Sequence, residues 1–462
     1  MTPDAPSSVG FRLSLMMFLQ FFVWGSWYVS MATFMRANGM DPAIATAYSV
    51  APVAAILSPF ALGMVADRFF ASERMLGALH IAGGAVIALA PVAAGFEWSG
   101  APKSGILEFL REWPFILVLL VHVLCYMPTL GLANAIAFNA MTAPQRQFPL
   151  VRVWGTIGWI AAGWTISALG ADKAPKQFLV AAAAAVLLGL YSFTLPHTPP
   201  PARGRPFSAR DALGLDALAL LRRPSFAIFI VASCLMCIPL AAYYAFAAGF
   251  VGDVGPVGDR IAATTATMSI GQIAEICFML AMPLFFARLG VKWMLAAGML
   301  AWALRYTLFA SATGATWDWF HLFTIGGFSV MMPRDPVGWM ILLGIALHGI
   351  CYDFFFVTGQ IYTEQIAPAR IRASAQGLLV LVTQGLGMLI GAQIMGRVFA
   401  ASTRSVVDAA TGTKSSVTDW AAFWWVPAIM ALAVLVLFVL TFHDRPSIRG
   451  ADDPHEGSPA RA

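Results

Sequence analysis

Charge is what this chain has least of. Asp, Glu, Lys and Arg make up 11% of its 462 residues, while 59% are hydrophobic. A soluble globular protein carries about a quarter charged residues. So few charges cannot cover a water-facing surface, and lipid must be most of the chain's solvent. The net charge of +5 comes from 28 basic and 23 acidic residues with no compact basic domain, which argues against a nucleic-acid partner. Five cysteines, Cys125, Cys234, Cys237, Cys277 and Cys351, all fall in apolar runs. The CxxC of Cys234 and Cys237 has no second pair to complete a metal site, so these thiols read as small apolar fillers. No metal cluster and no nucleophile–base motif stands out, so neither an enzyme nor a bound metal or cofactor is expected. The first residues, MTPDAPSSVG, lack the basic region and small-residue cleavage site of a signal peptide.

What is present is long apolar runs. A helix needs about 20 mostly apolar residues to cross the bilayer core, and twelve runs qualify. The first six lie at 11–35, 42–66, 75–95, 114–141, 150–170 and 176–196. The second six lie at 225–251, 261–286, 292–312, 336–362, 371–400 and 419–442. Backbone groups in lipid must be satisfied within the segment, so the runs are expected as helices. The short alternating segments of a membrane barrel are missing.

The longest polar connection, 197–224, divides the runs into halves at 11–196 and 225–442, with tails at 1–10 and 443–462. Its five arginines, Arg203, Arg205, Arg210, Arg222 and Arg223, place it in the cytoplasm by the positive-inside rule. Both termini are then cytoplasmic, in the plasma (inner) membrane. The other loops agree: 17 Lys and Arg fall inside and 9 outside, with Arg305 and Arg397 left within spans. Short basic turns follow the second run (GMVADRFFASER) and the eighth (PLFFARLGVKWM). Two six-span halves with matching loops point to the major facilitator architecture, whose site lies midway between the halves. Gly63, Asp67 and Arg68 fit that superfamily's loop pattern, although the usual G-R-K ending is missing. Asp67 and Arg68 are expected to serve a cytoplasmic gate.

Ionisable groups within spans cost about 2.5–3.5 kcal/mol on insertion scales and usually face a cavity or a partner. In span 8, Thr265, Ser269, Gln272 and Glu275 fall on one helical face. In span 10, Asp353 and Gln360 share a face, with His348 and Tyr352 on the adjacent one. In span 5, Arg152, Thr156 and Trp159 line up. Each has a plainer account: Arg152 reaching the headgroups, hydroxyls bonding their own helix, His348 as packing, Arg305 in a permanent ion pair with Glu275 or Asp353. The sharper account is a carboxylate, Glu275 or Asp353, that exchanges a proton as access changes, with Asp353 turned toward a polar site shared with Glu275. Trp24, Trp27, Trp154, Trp159, Tyr243, Tyr244 and Tyr352 are available to stack on a flat polar solute.

The segments FLQFFVWGSW (18–27), GMVADR (63–68), YMPTLGLAN (126–134), FPLVRVWGTIGW (148–159), LGLDALAL (213–220), GQIAE (271–275), YDFFFVTG (352–359) and RIRASAQG (370–377) together resemble the nucleoside:proton symporters of the major facilitator superfamily. The resemblance covers residues 11–442. It implies a substrate site at Arg152, Thr156, Gln272, Glu275, Tyr352 and Asp353, and proton coupling at Glu275 and Asp353. Nucleoside, protons and the bilayer would be the partners, with no obligate protein partner. His348 stands where a tyrosine is usual, and Ala241 and Tyr244 where amides are usual, so another small polar solute, a sugar or metabolite, stays open. A non-transporting solute sensor is the third possibility, with tails too short for a signalling domain.

Overall fold

The computed structural model describes residues 7–61, 69–105, 107–142, 144–200, 215–254, 264–312, 319–325, 328–333, 336–368, 371–407 and 414–443. Asp67 and Arg68, the expected gate, lie outside the described residues.

Among the described residues eight helices are long and apolar enough to cross a membrane, and they account for spans 2, 3, 4, 7, 10, 11 and 12 and for one continuous helix, Ile270–Ser311. That helix is two spans in one: Gly290, at φ 65°, breaks it into 270–289 and 291–311, a left-handed conformation that glycine adopts without steric cost. Two shorter apolar helices supply spans 1 and 6. Span 5, Pro144–Ala168, is long but more polar, because it carries site residues. Numbered as the spans, α1 is Ser7–Gly25, α2 Ile44–Ala61, α3 Ser72–Ile87, α4 Trp113–Ala140, α5 Pro144–Ala168 and α6 Lys176–Ser192. In the second half α7 is Pro224–Val254, α8 residues 264–289, α9 residues 291–311, α10 residues 336–366, α11 residues 372–402 and α12 Trp420–Thr441. The largest helix interfaces join α1 to α5, α3 to α6 and α3 to α4 in the first six, and the 270–311 helix to α10 and α12 and α7 to α11 in the last six.

Three departures from regular helix matter. The expected single helix over 11–35 stops at Gly25 and resumes at Met31–Ala37; the Ser26 hydroxyl donates to the Phe22 carbonyl at 2.7 Å in the break. Helix α10 is interrupted at Leu347 and then runs as a π-helical turn over Asp353–Val357. Helix α11 holds a second π-helical turn, Leu381–Gly387. Such turns are rare and concentrate at functional positions. The connections after α9 and α11 each fold into a hairpin, β1 (Trp319–Ile325) with β2 (Phe328–Pro333) and β3 (Thr403–Val407) with β4 (Lys414–Thr418). The first is rich in Phe and the second in Val and Thr, residues that suit a pleated surface, and the pairing satisfies backbone groups that no helix takes up.

The first and last six helices meet most firmly at one end, the end of Arg36 and Asp253. There Arg36 Nη1 is 2.8 Å from Asp253 Oδ2, which also accepts from Trp420 Nε1 at 3.1 Å. Trp164 Nε1 donates to Ser269 Oγ at 2.8 Å. Asp172 accepts from the backbone N–H and hydroxyl of Thr265, and Gln393 donates to Ser49 at 2.8 Å. The opposite end holds Glu73, paired with His197 and the Thr198 N–H of its own half.

Candidate substrate cavity

Between the halves lies a cavity of about 300 Å³. Its wall from the first half comes from Gln20, Trp24 and Tyr28 of α1 and its break, Asn134 of α4, and Arg152, Thr156 and Trp159 of α5. The second half contributes Tyr244, Gln272 and Glu275, the α10 residues His348, Tyr352, Phe356 and Gln360, and Thr383 and Gln384 of α11. Cavities of this size lined by aromatics and a few convergent polar groups suit a small polar ligand.

Close helix crossings set the site. A Cβ on Gly158 would run into the Phe18 backbone carbonyl, so α1 and α5 touch backbone to backbone. Nearly two turns earlier, Arg152 lays its guanidinium 4.1 Å over the Phe21 ring, an arrangement favourable by about 0.5–2 kcal/mol. It is half-buried on the cavity wall, with no carboxylate in ion-pair range among the described residues. Opposite, Gly271 and Gly349 flank the crossing of α8 and α10. A Cβ on Gly271 would lie 3.0 Å from that of His348, and one on Gly349 2.7 Å from the Glu275 nitrogen. This contact puts Glu275 Oε2 4.0 Å from His348 Nε2.

Arg305 does not pair with either carboxylate. It is fully buried, donates to the carbonyls of Gly344 (2.8 Å) and Ile345 (3.4 Å), and reaches His348 Nδ1 at 3.3 Å. The π-helical turn decides what α10 shows the cavity. Four residues of α-helix overshoot a full turn by about 40°; the wider turn over 353–357 absorbs that drift, so His348, Tyr352, Phe356 and Gln360, spaced by four, stay on one wall. Asp353 is thereby turned off the wall that Gln360 lines, contrary to the shared face expected for a regular helix. It is completely buried and neither of its oxygens has a hydrogen-bond partner.

The polar stripe of α8 divides. Gln272 and Glu275 line the cavity, while Thr265 and Ser269 bond across to Asp172 and Trp164 in the closed end. Tyr244 faces the cavity, whereas Ala241 is buried against α11, its Cβ 2.8 Å from where one on Gly391 would sit. Of the aromatics, Trp24, Trp159, Tyr244 and Tyr352 line the cavity. Trp27 packs on His122, Tyr243 lies under Arg305, and Trp154 is exposed on the outside of the bundle. Gln20, Asn134 and Gln384 were not singled out from sequence. An amide within an apolar run was the signal that could have found them, and Gln20 is anchored by bonds to His80, Thr129 and Tyr126.

Comparison with known proteins agrees with this arrangement. A family model described as nucleoside H+ symporter matches residues 7–447. Over 441 residues the chain is 35% identical to the Escherichia coli (strain K12) protein YegT, covering 94% of this chain and 93% of that one. It is 30% identical to the xanthosine permease of the same organism, over 96% of this chain and 98% of the permease. The crystal structure of the nucleoside transporter NupG superposes with a TM-score of 0.75 at 29% identity, covering 95% of this chain and all of that one. The D-xylose-proton symporter shares the fold alone, with a TM-score of 0.65 at 14% identity. The match runs through both halves and the cavity between them, and the chain, a multi-pass membrane transporter with the major facilitator fold, belongs to the nucleoside H+ symporter family.

Proposed function

We propose that this chain carries nucleosides inward together with protons, across a bacterial inner membrane, by alternating access. The observation that carries the proposal is the cavity of about 300 Å³ whose two walls come from different halves, with Arg152 on one wall and Glu275 on the other. Polar contacts between the halves close it at the Arg36 end. The halves at 11–196 and 225–442 are the two bodies that rock, joined by 197–224. The basic loops put the Glu73 end and both termini in the cytoplasm, so the state described opens inward. Arg152, Thr156, Gln272, Tyr352 and His348 hold the solute, Glu275 and Asp353 exchange the proton, and Asp67 and Arg68 serve the cytoplasmic gate.

The stacking surfaces suit a nucleobase and the amides its edges. An ionised carboxylate with no partner is expensive to bury, so the charge of Asp353 depends on what each conformation brings beside it. One proton moving inward through 100 mV releases about 2.3 kcal/mol, enough for roughly a 50-fold concentration ratio. The test is uptake of a labelled nucleoside panel into proteoliposomes under an imposed pH gradient. Accumulation of at least one nucleoside, with proton movement, is expected; no uptake and no counterflow of any of them would overturn the proposal. Tyr244 and His348, in place of the side chains usual in the family, favour a second reading in which the solute is another small polar molecule, and the same vesicles test it with a sugar panel.

A further inference from the structure

We infer that Arg305 is a positioning residue for substrate recognition: it holds His348 as the neutral Nε2–H tautomer, so that an N–H donor stands fixed beside the Glu275 carboxylate. The inference rests on the nucleoside reading above, because the substrate edge it describes is that of a nucleobase.

The chain of contacts begins at the break in α10. The helix Pro336–Ala346 ends there, and the carbonyls of its last turn need donors that the helix no longer supplies. Arg305 of α9 provides them, donating to Gly344 and Ile345, and a cation is well placed at a helix C-terminus. The Tyr243 ring, 3.5 Å from the guanidinium carbon, covers its face. The same ring stacks on His348 at 5.3 Å between centroids and 19° between planes. Both planes are thereby fixed.

Guanidinium is a donor only. The contact from Arg305 Nη1 to His348 Nδ1 at 3.3 Å therefore makes Nδ1 the acceptor, and the single proton of the neutral ring sits on Nε2. That nitrogen faces Glu275 Oε2 at 4.0 Å on the cavity wall. A second proton would have to enter at Nδ1, where it would displace the Arg305 hydrogen bond and meet a fixed positive charge. The titratable and charged groups facing His348 are Glu275 on α8, Arg305 on α9, Tyr243 on α7 and Tyr352 on its own helix. The gap of 4.0 Å between Nε2 and the carboxylate is too long for a hydrogen bond, so both groups keep capacity for a ligand. Together they match an edge on which an acceptor adjoins an N–H, the pattern of a nucleobase ring amide: the imidazole donates to the exocyclic carbonyl oxygen and Glu275 accepts the ring N–H.

The test has two arms. Full-length protein labelled with [15N]histidine in nanodiscs, with His348 assigned by difference against His348→Gln, is expected to show the Nε2–H tautomer unchanged from about pH 5 to pH 8. In Arg305→Gln, whose amide oxygen can accept, His348 is expected to titrate in that range. A wild-type His348 that titrates there, or carries its proton on Nδ1, would overturn the inference, and the wild-type spectrum decides this even when Arg305→Gln does not reach the membrane. In the second arm, His348→Phe is expected to have a KM for uridine roughly tenfold above that of His348→Gln, which keeps an N–H near the Nε2 position; equal KM values would overturn the donor role. Should wild-type protein transport no nucleoside, the function proposed above fails, while the spectra still decide the tautomer.

Discussion

Replacing Asp253 by Asn removes the charge that Arg36 and Trp420 share at the closed end of the cavity. Asp253 is 42% exposed, so its ion pair with Arg36 contributes at most about 1 kcal/mol. The oxygen that survives in Asn can still take both donors, as Oδ2 does in Asp253, but as a neutral acceptor it holds them less strongly, which costs about 1 kcal/mol more. The closed end should lose about 1–2 kcal/mol, a shift of roughly 5- to 30-fold toward opening at that end. The remaining contacts, Trp164 to Ser269, Asp172 to Thr265 and Gln393 to Ser49, keep the present state predominant. A cysteine at Thr383 on the cavity wall, in a chain otherwise cleared of cysteine, reports this through labelling by an impermeant maleimide. Labelling from the Arg36 face should quicken 5- to 30-fold in Asp253→Asn, while labelling from the Glu73 face changes little. A change of less than twofold from the Arg36 face would refute the assignment of these contacts as the seal.

The same seal should respond to pH through Asp172, in the turn between α5 and α6. Burial raises its carboxyl above the usual range, and the Thr265 hydrogen bonds offset part of that. An acid whose value is raised in one state favours that state as pH falls. Acidifying the Arg36 face from neutrality toward the carboxylate range near 4 should therefore slow maleimide labelling more steeply in the wild type than in Asp172→Asn, where only protonation of the reporter thiol slows it. Gly158→Ala would drive a Cβ into the Phe18 carbonyl; overpacking of this kind costs about 1–3 kcal/mol, and a lowered thermal midpoint in detergent should record it. Arg152→Lys keeps the charge but not the planar stack on Phe21, so KM for uridine should rise several-fold; an unchanged KM would remove Arg152 from the binding wall.

Hydropathy alone delivers the twelve spans, because length and apolarity are summed over each run and survive local irregularity. The cost of burying polar groups selects Arg152, Thr156, Gln272, Glu275, His348 and Tyr352, all of which line the cavity. Spacing is less dependable. The seven residues from Asp353 to Gln360 imply a shared face only in a regular helix, and the π-helical turn at 353–357 breaks that rule. The turn itself depends on how α10 packs against α8 and α9, at Gly349 and Gly298, and no local pattern announces it. The stripe on α8 fails differently: its periodicity is correct, but one face of a long helix passes from the cavity into the closed end, so Thr265 and Ser269 serve another purpose than Gln272 and Glu275. An interior cation needs compensation, which makes a carboxylate the partner of Arg305 in the plainer account of the sequence. Two carbonyls at a helix break and an aromatic ring provide it instead, and the break is invisible in WMILLGIALHGI.

The central claim is that proton movement drives nucleoside accumulation and that the buried, unpartnered Asp353 is needed for that coupling. It is tested most directly by uridine uptake into proteoliposomes holding wild type or Asp353→Asn, with and without an inside-alkaline gradient. Wild type should concentrate uridine only with the gradient, and the variant should exchange uridine without concentrating it. Gradient-driven accumulation by Asp353→Asn at the wild-type level would contradict the account.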